Sequence, residues 1–291
     1  MKIAFIGFGE AACAFQASLS ARDSGLRFCA YDILLDSEGS EGACAAAMRE
    51  HGVDIAASPA HAIASADWIF SAVTADQSLA SVTSAAPHLR AGQVLFDINS
   101  VSPARKRQSA ALLPPGAYVD MAVMAPVHPK GHATPVLLAG SLDEALLERL
   151  RELGFSFEIV GREIGSATAI KMVRSLFVKG LEAITVETLL AAQASGCLDT
   201  ILASLAKSYP GLGFPDIARY QFERTTKHGK RRAAEMRESS ATLVDLGLHG
   251  RLADAVADVQ QAMGQAGTAA ETSSGDLSAT LAAVLAARLA R

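Results

Sequence analysis

Residues 2–19 place a short apolar run, a glycine turn and a helical pattern in immediate succession, and few folds accept that order. Lys2–Ile6 reads as a strand buried on both faces, because its apolar residues are continuous rather than alternating. Gly7-Phe8-Gly9-Glu10-Ala11-Ala12 follows, and AFQASLSA continues as a helix. This is G-x-G-x-x-G/A in a strand–turn–helix setting, the fingerprint of a dinucleotide-binding βαβ unit. Gly7 permits the tight turn, Gly9 lets the backbone approach a pyrophosphate, and Ala12 is small enough for the helix to pack on the strand. Helix N-terminal amides then meet the anion, so Gly7 through Ala12 are candidate cofactor contacts.

The second strand, Leu26–Tyr31, ends at Asp32, 25 residues after Gly7. A carboxylate there can accept both ribose hydroxyls of NAD and repels the 2′-phosphate of NADP, so NAD is the expected cofactor and NADP the less favoured one. The plain structural alternative is that Asp32 caps the following turn. Helix and strand patterns then alternate: a helix at 43–52, strands at 68–73 and 94–98, and helices near 77–89 and after Pro103. Further strands are expected at Tyr118–Val123, Val136–Ala139 and Phe157–Val160, with a helix at 143–153 between the last two. Such alternation predicts a doubly wound, mostly parallel sheet, an α/β Rossmann domain over 1–161.

Strand signals stop at Glu163. Helices are expected near 163–195, 198–207, 215–226, 228–246, 250–264 and 277–289, an all-α domain over 162–291 with a loop at 268–276. The segment 163–195 would be about 45 Å long, enough to join the two domains. Its apolar residues, from Ile164 through Phe177 to Leu190, cover more than one stripe, so protein should wrap most of it. One small helical domain cannot cover that much, which predicts a homodimer or larger assembly. Lys171 has Arg174 three residues on and Ser175 four on, so the three can share a patch of helix surface. Beside an arginine, on a mostly buried helix, a lysine loses its proton more easily, as a general base must. The competing reading is a pair of side chains snorkelling to water.

Composition removes several classes of function. Net charge is -4 and the sequence pI about 6.0, which gives no general attraction to nucleic acid or to an anionic membrane. The dense basic run is local: Arg224, Lys227, His228, Lys230, Arg231 and Arg232, read as part solvated helix face and part anion recognition. Cys13, Cys29, Cys44 and Cys197 lack metal-ligand spacing, so reduced thiols of a cytoplasmic protein are expected. His128 and His132 are four apart, but Pro129 and Gly131 make that stretch a loop without an evident third ligand, so no metal is expected. No signal peptide or membrane span is read in the sequence.

Over nearly its whole length the chain resembles the β-hydroxyacid dehydrogenase family, which includes 3-hydroxyisobutyrate and phosphogluconate dehydrogenases. In that family a long helix joining a Rossmann domain to a helical domain carries the catalytic lysine. Its motif is similar to Gly165-Ser166-Ala167-Thr168-Ala169-Ile170-Lys171-Met172-Val173-Arg174-Ser175, where Ser175 stands in the family's asparagine position. The resemblance implies that Lys171 is catalytic, that Ser175 and Arg174 bind substrate, and that Val73, Thr74, Asn99 and Ser100 line the nicotinamide side, the last two also near the substrate. Thr74 and Ser100 have the alternative of capping the next helices. Lys227 matches a cofactor-side lysine whose neighbouring aspartate is here His228. Met124-Ala125-Pro126 replaces the family's S-G-G beside the substrate carboxylate; it offers no side-chain hydroxyl, and Pro126 no N–H. The helical half, with KMVRS, KGLEA and HGKRRAAEM, resembles an uncharacterised phosphogluconate-dehydrogenase-like branch without that enzyme's longer C-terminal region.

The expected function is an NAD-dependent dehydrogenase oxidising a β-hydroxy acid or related alcohol. The alternatives are an imine or ketone reductase of the same superfamily, against which Lys171 speaks because many such relatives have replaced it, and a catalytically silent NAD-binding protein.

Overall fold

A computed structural model of the chain describes residues 1–39, 42–64, 66–267 and 276–290. The chain falls into two compact units, Met1–Met172 and Val173–Arg291. In the first, strands β1 (Lys2–Ile6), β2 (Arg27–Tyr31), β3 (Asp54–Ile55), β4 (Trp68–Ser71), β5 (Val94–Asp97), β6 (Tyr118–Val123), β7 (Val136–Gly140) and β8 (Phe157–Gly161) form one sheet. Its order is β3-β2-β1-β4-β5-β6-β7-β8. The pairs from β3 to β6 are parallel, β7 runs antiparallel to β6, and β8 runs parallel to β7. The helices of this unit are α1 (Glu10–Arg22), α2 (Leu34–Glu38), α3 (Ala43–Glu50), α4 (Pro59–Ile63), α5 (Ser78–Ala85), α6 (Pro103–Ala110) and α7 (Glu144–Leu153).

Because side chains alternate across a strand, β1 sends Ile3 and Phe5 into one core and Ala4 and Ile6 into another. Both faces are covered, which is why the strands read as unbroken apolar runs. The larger core holds stacked rings, with Phe70 and Phe96 at 4.9 Å between centroids and Phe155 parallel to Phe70 at 6.2 Å. The short elements β3, α2 and α4 have no counterpart in the periodicity reading, since two to five residues carry no measurable period.

α8 (Ser166–Ala194) begins in the first unit and continues into the second, which also holds α9 (Leu198–Ser208), α10 (Asp216–Asp245), α11 (Arg251–Gln265) and α12 (Leu277–Leu289). Two expectations need correction here. The helices expected at 215–226 and 228–246 are one continuous helix, α10. Within it, a Cβ on Gly229 would lie 2.2 Å from the Gln260 carbonyl oxygen and 2.5 Å from Gly264 N, so glycine lets α10 and α11 meet backbone to backbone. α8 is also not wrapped on most sides within the chain, because Val173, Phe177 and Ile184 are 52%, 74% and 64% exposed. The expected loop at 268–276 lies outside the described residues except for Asp276, whose carboxylate accepts from Ala279 N and caps α12. No helix among the described residues is long and apolar enough to cross a membrane.

Candidate functional site

The turn after β1 is built by contacts that only glycine allows. Gly7 has φ +87°, and a Cβ on it would lie 2.5 Å from the Ala72 carbonyl oxygen and 2.7 Å from Val73 Cγ1. Its N–H donates to the Tyr31 carbonyl at 2.8 Å, which ties the turn to the end of β2. Gly9 differs: its backbone is ordinary (φ -88°, ψ -163°), and a Cβ there would meet no protein atom within 4 Å. The fold therefore does not require glycine at position 9. A pyrophosphate brought to the head of α1 does, so the open cradle fits a dinucleotide. Ala12 is fully buried, while Glu10 is exposed and Ala11 half-buried. Phe8 turns its ring into the core against Phe5 and His51.

Asp32 both braces this turn and caps the next one. Its Oδ2 accepts from Phe8 N at 2.8 Å and its Oδ1 from Leu34 N at 3.0 Å. The Phe8 amide is thus committed to Asp32, and each carboxylate oxygen already has a donor. Around the carboxylate, burial first and the negative charges of Asp32 and Glu38 next push the Cys44 thiol up to about 11. All four cysteines are free.

The carboxyl ends of β4 and β5 are held together by Asn99. Its Oδ1 accepts from Val73 N at 2.7 Å, and its Nδ2 donates to Ser71 Oγ at 2.8 Å and Ser78 Oγ at 3.3 Å. Val73 and Thr74, half-buried and exposed, are therefore set by a buried amide from the neighbouring strand. Thr74 precedes the 3-10 turn Ala75–Gln77 without a side-chain cap, and Ser102, not Ser100, caps α6 by accepting from Arg105 N. The capping alternative therefore fails for both residues. Met124 is half-buried against the cluster containing Ala122, Leu137, Ala139 and Ala167, beside the first turn of α8.

The head of α8 is fixed from a distance. Asp120, fully buried on β6, accepts from Gly165 N and Thr168 N at 3.1 Å each, and Thr168 Oγ1 donates to the Val101 carbonyl at 2.8 Å. Burial pushes the Asp120 carboxyl above the usual carboxylate range, against the pull of the Lys106 ammonium and the Thr168 amide. Lys171, three residues beyond Thr168, is half-buried; Ser175 is buried and Arg174 exposed.

In the second unit, Ser175 Oγ accepts from Lys179 Nζ at 3.3 Å, and Lys179 pairs with Glu235 of α10 at 2.9 Å. Glu182, a turn further along α8, takes Arg232 and the Gln260 amide. Of the basic run on α10, Arg232 is thus spent on a buried partner, Arg231 lies 3.9 Å from Glu235, Arg224 stands over the Tyr220 ring, and Lys227 is exposed. His132 has a structural role: Nδ1 lies 2.7 Å from Ser18 Oγ on α1, and Nε2 lies 2.9 Å from the Leu153 carbonyl. Among the described residues no group of three or more His, Cys, Asp or Glu could hold a metal ion.

Sequence reasoning missed Lys106, Asp97, Lys179 and Glu235. The available signals were Asp97 and Asp120, single carboxylates inside otherwise apolar strands.

Comparison with known proteins agrees with this architecture. Residues 2–100 match a family described as NADP oxidoreductase coenzyme F420-dependent, and residues 192–263 match a domain of unknown function, DUF1932. A conserved hypothetical protein from Sinorhizobium meliloti is 35% identical, with 99% of this chain and 96% of that one covered and a TM-score of 0.72. A conserved protein of unknown function, reported as structurally similar to 3-hydroxyacid dehydrogenases, is 29% identical over 90% of this chain and 98% of that one, with a TM-score of 0.67. The fold is shared by the Mycobacterium tuberculosis 3-hydroxyisobutyrate dehydrogenase with L-serine, at 19% identity, 97% and 98% coverage and a TM-score of 0.68. A reductive aminase from Aspergillus terreus in complex with NADPH shares it at 17% identity, 97% and 98% coverage and a TM-score of 0.56.

Proposed function

Because the chain belongs to the β-hydroxyacid dehydrogenase family, in an uncharacterised branch, we propose that it is an NAD(P)-dependent oxidoreductase interconverting a β-hydroxy acid or related alcohol with its carbonyl. The observation that carries this reading is that one compact unit, Met1–Met172, holds both the open glycine cradle and the first turns of α8 with Lys171.

A nicotinamide held in that cradle would supply the hydride acceptor for oxidation of the carbinol carbon, and the hydride donor for the reverse reaction. Lys171, as the neutral amine, takes the hydroxyl proton; in reduction its ammonium returns that proton to the nascent alkoxide. On α8, Arg174 and Ser175 follow Lys171 by about one turn and orient the substrate that it meets. Ser175 is a shorter donor than the family's asparagine, and Lys179 occupies one of its lone pairs, which leaves its O–H to donate. Gly7 through Ala12, Asp32, Val73, Thr74 and Asn99, all in the first unit, hold the cofactor.

The expected preference for NAD is not carried forward. Asp32 keeps lone pairs for ribose hydroxyls beside the Phe8 and Leu34 amides, but the related fold of the reductive aminase holds NADPH, so NADP stands level with NAD. That aminase is also the reason to keep reduction of a carbonyl or imine as the second reading. The partner in assembly is a second copy, seated on the exposed Val173, Phe177 and Ile184 face of α8.

The test is a panel of hydroxy acids and alcohols with NAD and NADP, read as reduced-nicotinamide absorbance, on wild type, Lys171→Met and Lys171→Arg. Both variants should keep dinucleotide affinity and lose about 100-fold or more in kcat. Wild-type kcat in both variants would remove Lys171 from the chemistry.

A further inference from the structure

We propose that Asp120 and Lys106 are positioning residues that hold the head of α8, and with it Lys171, in register with the loop carrying Asn99. The catalytic consequence rests on the role proposed for Lys171; the mechanical coupling does not.

An unbroken series of hydrogen bonds and ion pairs joins the two ends. Val73 N donates to the Asn99 side chain, and Asn99 N donates to Asp97 Oδ1 at 2.9 Å. Asp97 also accepts from Tyr118 OH through Oδ2 at 2.6 Å. Lys106 Nζ, on α6, donates to the Asp97 carbonyl at 2.6 Å, lies 2.9 Å from Asp97 Oδ1 and reaches Asp120 Oδ1 at 3.5 Å. Asp120 Oδ2 then receives Gly165 N and Thr168 N. Lys106, Asp97 and Asp120 are all 0% exposed.

Stability alone does not call for this arrangement. Desolvating an ion pair costs about as much as the attraction returns, and well-packed apolar side chains often do as well or better. A capping serine or threonine would satisfy the amides at the head of α8 locally. Here the cap comes from a strand 45 and 48 residues earlier in the chain, and it is braced by a lysine that also grips the next strand. The arrangement fixes one element against another. Register matters at this point because Lys171 follows Thr168 by about one helical turn, so a shift of the helix head is a shift of the amine. A displacement of about 1 Å in a catalytic group can cost about 100-fold in rate.

The test compares Asp120→Ala, Asp120→Asn and Lys106→Met by amide hydrogen exchange, dinucleotide titration and kinetics. Asp120→Ala and Lys106→Met should speed exchange at Gly165–Lys171 and also at Val73 and Asn99. Asp120→Asn, which keeps an acceptor oxygen for Gly165 and Thr168, should restore the helix head. With a turned-over hydroxy acid, Asp120→Ala should lose about 100-fold in kcat, with dinucleotide KM changed less than about threefold. If the single changes do not fold, the double change Lys106→Met/Asp120→Asn, which keeps the buried net charge, should still show fast exchange at Val73 and Asn99. Exchange confined to residues 165–168 would make Asp120 a local helix cap and overturn the proposal, as would wild-type kcat in Asp120→Ala. A wild type that turns over no hydroxy acid would overturn the proposed function and the consequence for Lys171, while exchange would still decide the coupling.

Discussion

Gly7 and Gly9 stand two residues apart in one motif, and alanine at each should give opposite results. At Gly7 the added Cβ would sit 2.5 Å from the Ala72 carbonyl oxygen, on a residue with φ +87°. The left-handed backbone costs an L-residue about 1–2 kcal/mol, and forcing a methyl against fixed backbone adds about 1–3 kcal/mol. Gly7→Ala should therefore lower stability by about 2–5 kcal/mol, or Tm by roughly 4–20 °C for a unit of this size. At Gly9 the backbone is ordinary and the space above it open to 4 Å. Fewer unfolded conformations favour alanine there by about 0.4–1 kcal/mol, and its poorer capping offsets this, so Tm should hardly move. The same methyl would stand in the path of a pyrophosphate. An overlap costing about 1–3 kcal/mol weakens binding by about 5- to 150-fold. Thermal melts without ligand, with fluorescence titration of NADH and NADPH, measure both effects. A Gly9→Ala protein that binds both dinucleotides like wild type would remove the pyrophosphate from this turn, and a Gly7→Ala protein melting like wild type would refute the packing argument.

Three further outcomes are expected. Gly229→Ala should lower Tm even though helix propensity favours alanine by about 1 kcal/mol, because its Cβ would lie 2.2 Å from the Gln260 carbonyl oxygen; a raised Tm would contradict the contact between α10 and α11. His132 is held below its usual 6.5 by burial first and by Arg22, against the pull of the Leu153 carbonyl. The unfolded chain thus binds the proton more readily, and wild type should lose stability relative to His132→Gln as pH falls through 6.5; parallel Tm profiles would refute this. Phe177→Glu should convert a wild-type dimer to monomer in sedimentation, whereas a wild type that is monomeric at micromolar concentration would remove the second copy from α8.

Much of the fold was legible because its signals are local. Continuous apolar runs between glycines reported the buried strands, the Gly7–Ala12 turn reported the βαβ unit, and loss of strand patterning after Glu163 reported the helical half. The long helix that carries Lys171 was legible through its run of apolar residues. The rest depends on partners that local periodicity does not encode. Gly229 falls inside an expected helix with no local reason to be glycine, and becomes a contact point only where the backbone of α11 lies 2.2 Å from its missing Cβ. Asp32 could be assigned to ribose, or to a cap on the following turn, from its place after β2; the cap to Leu34 N is local, but the bond from Phe8 N, 24 residues away, is set by tertiary geometry. Asp97 and Asp120 were visible as carboxylates in apolar strands. That one lysine on α6 pairs with both, and that Asp120 caps a helix 45 residues later, follows only from the order in which the strands assemble. A residue's own segment sets the pattern of its apolar and polar positions; segments far along the chain decide which of them are covered, and by what.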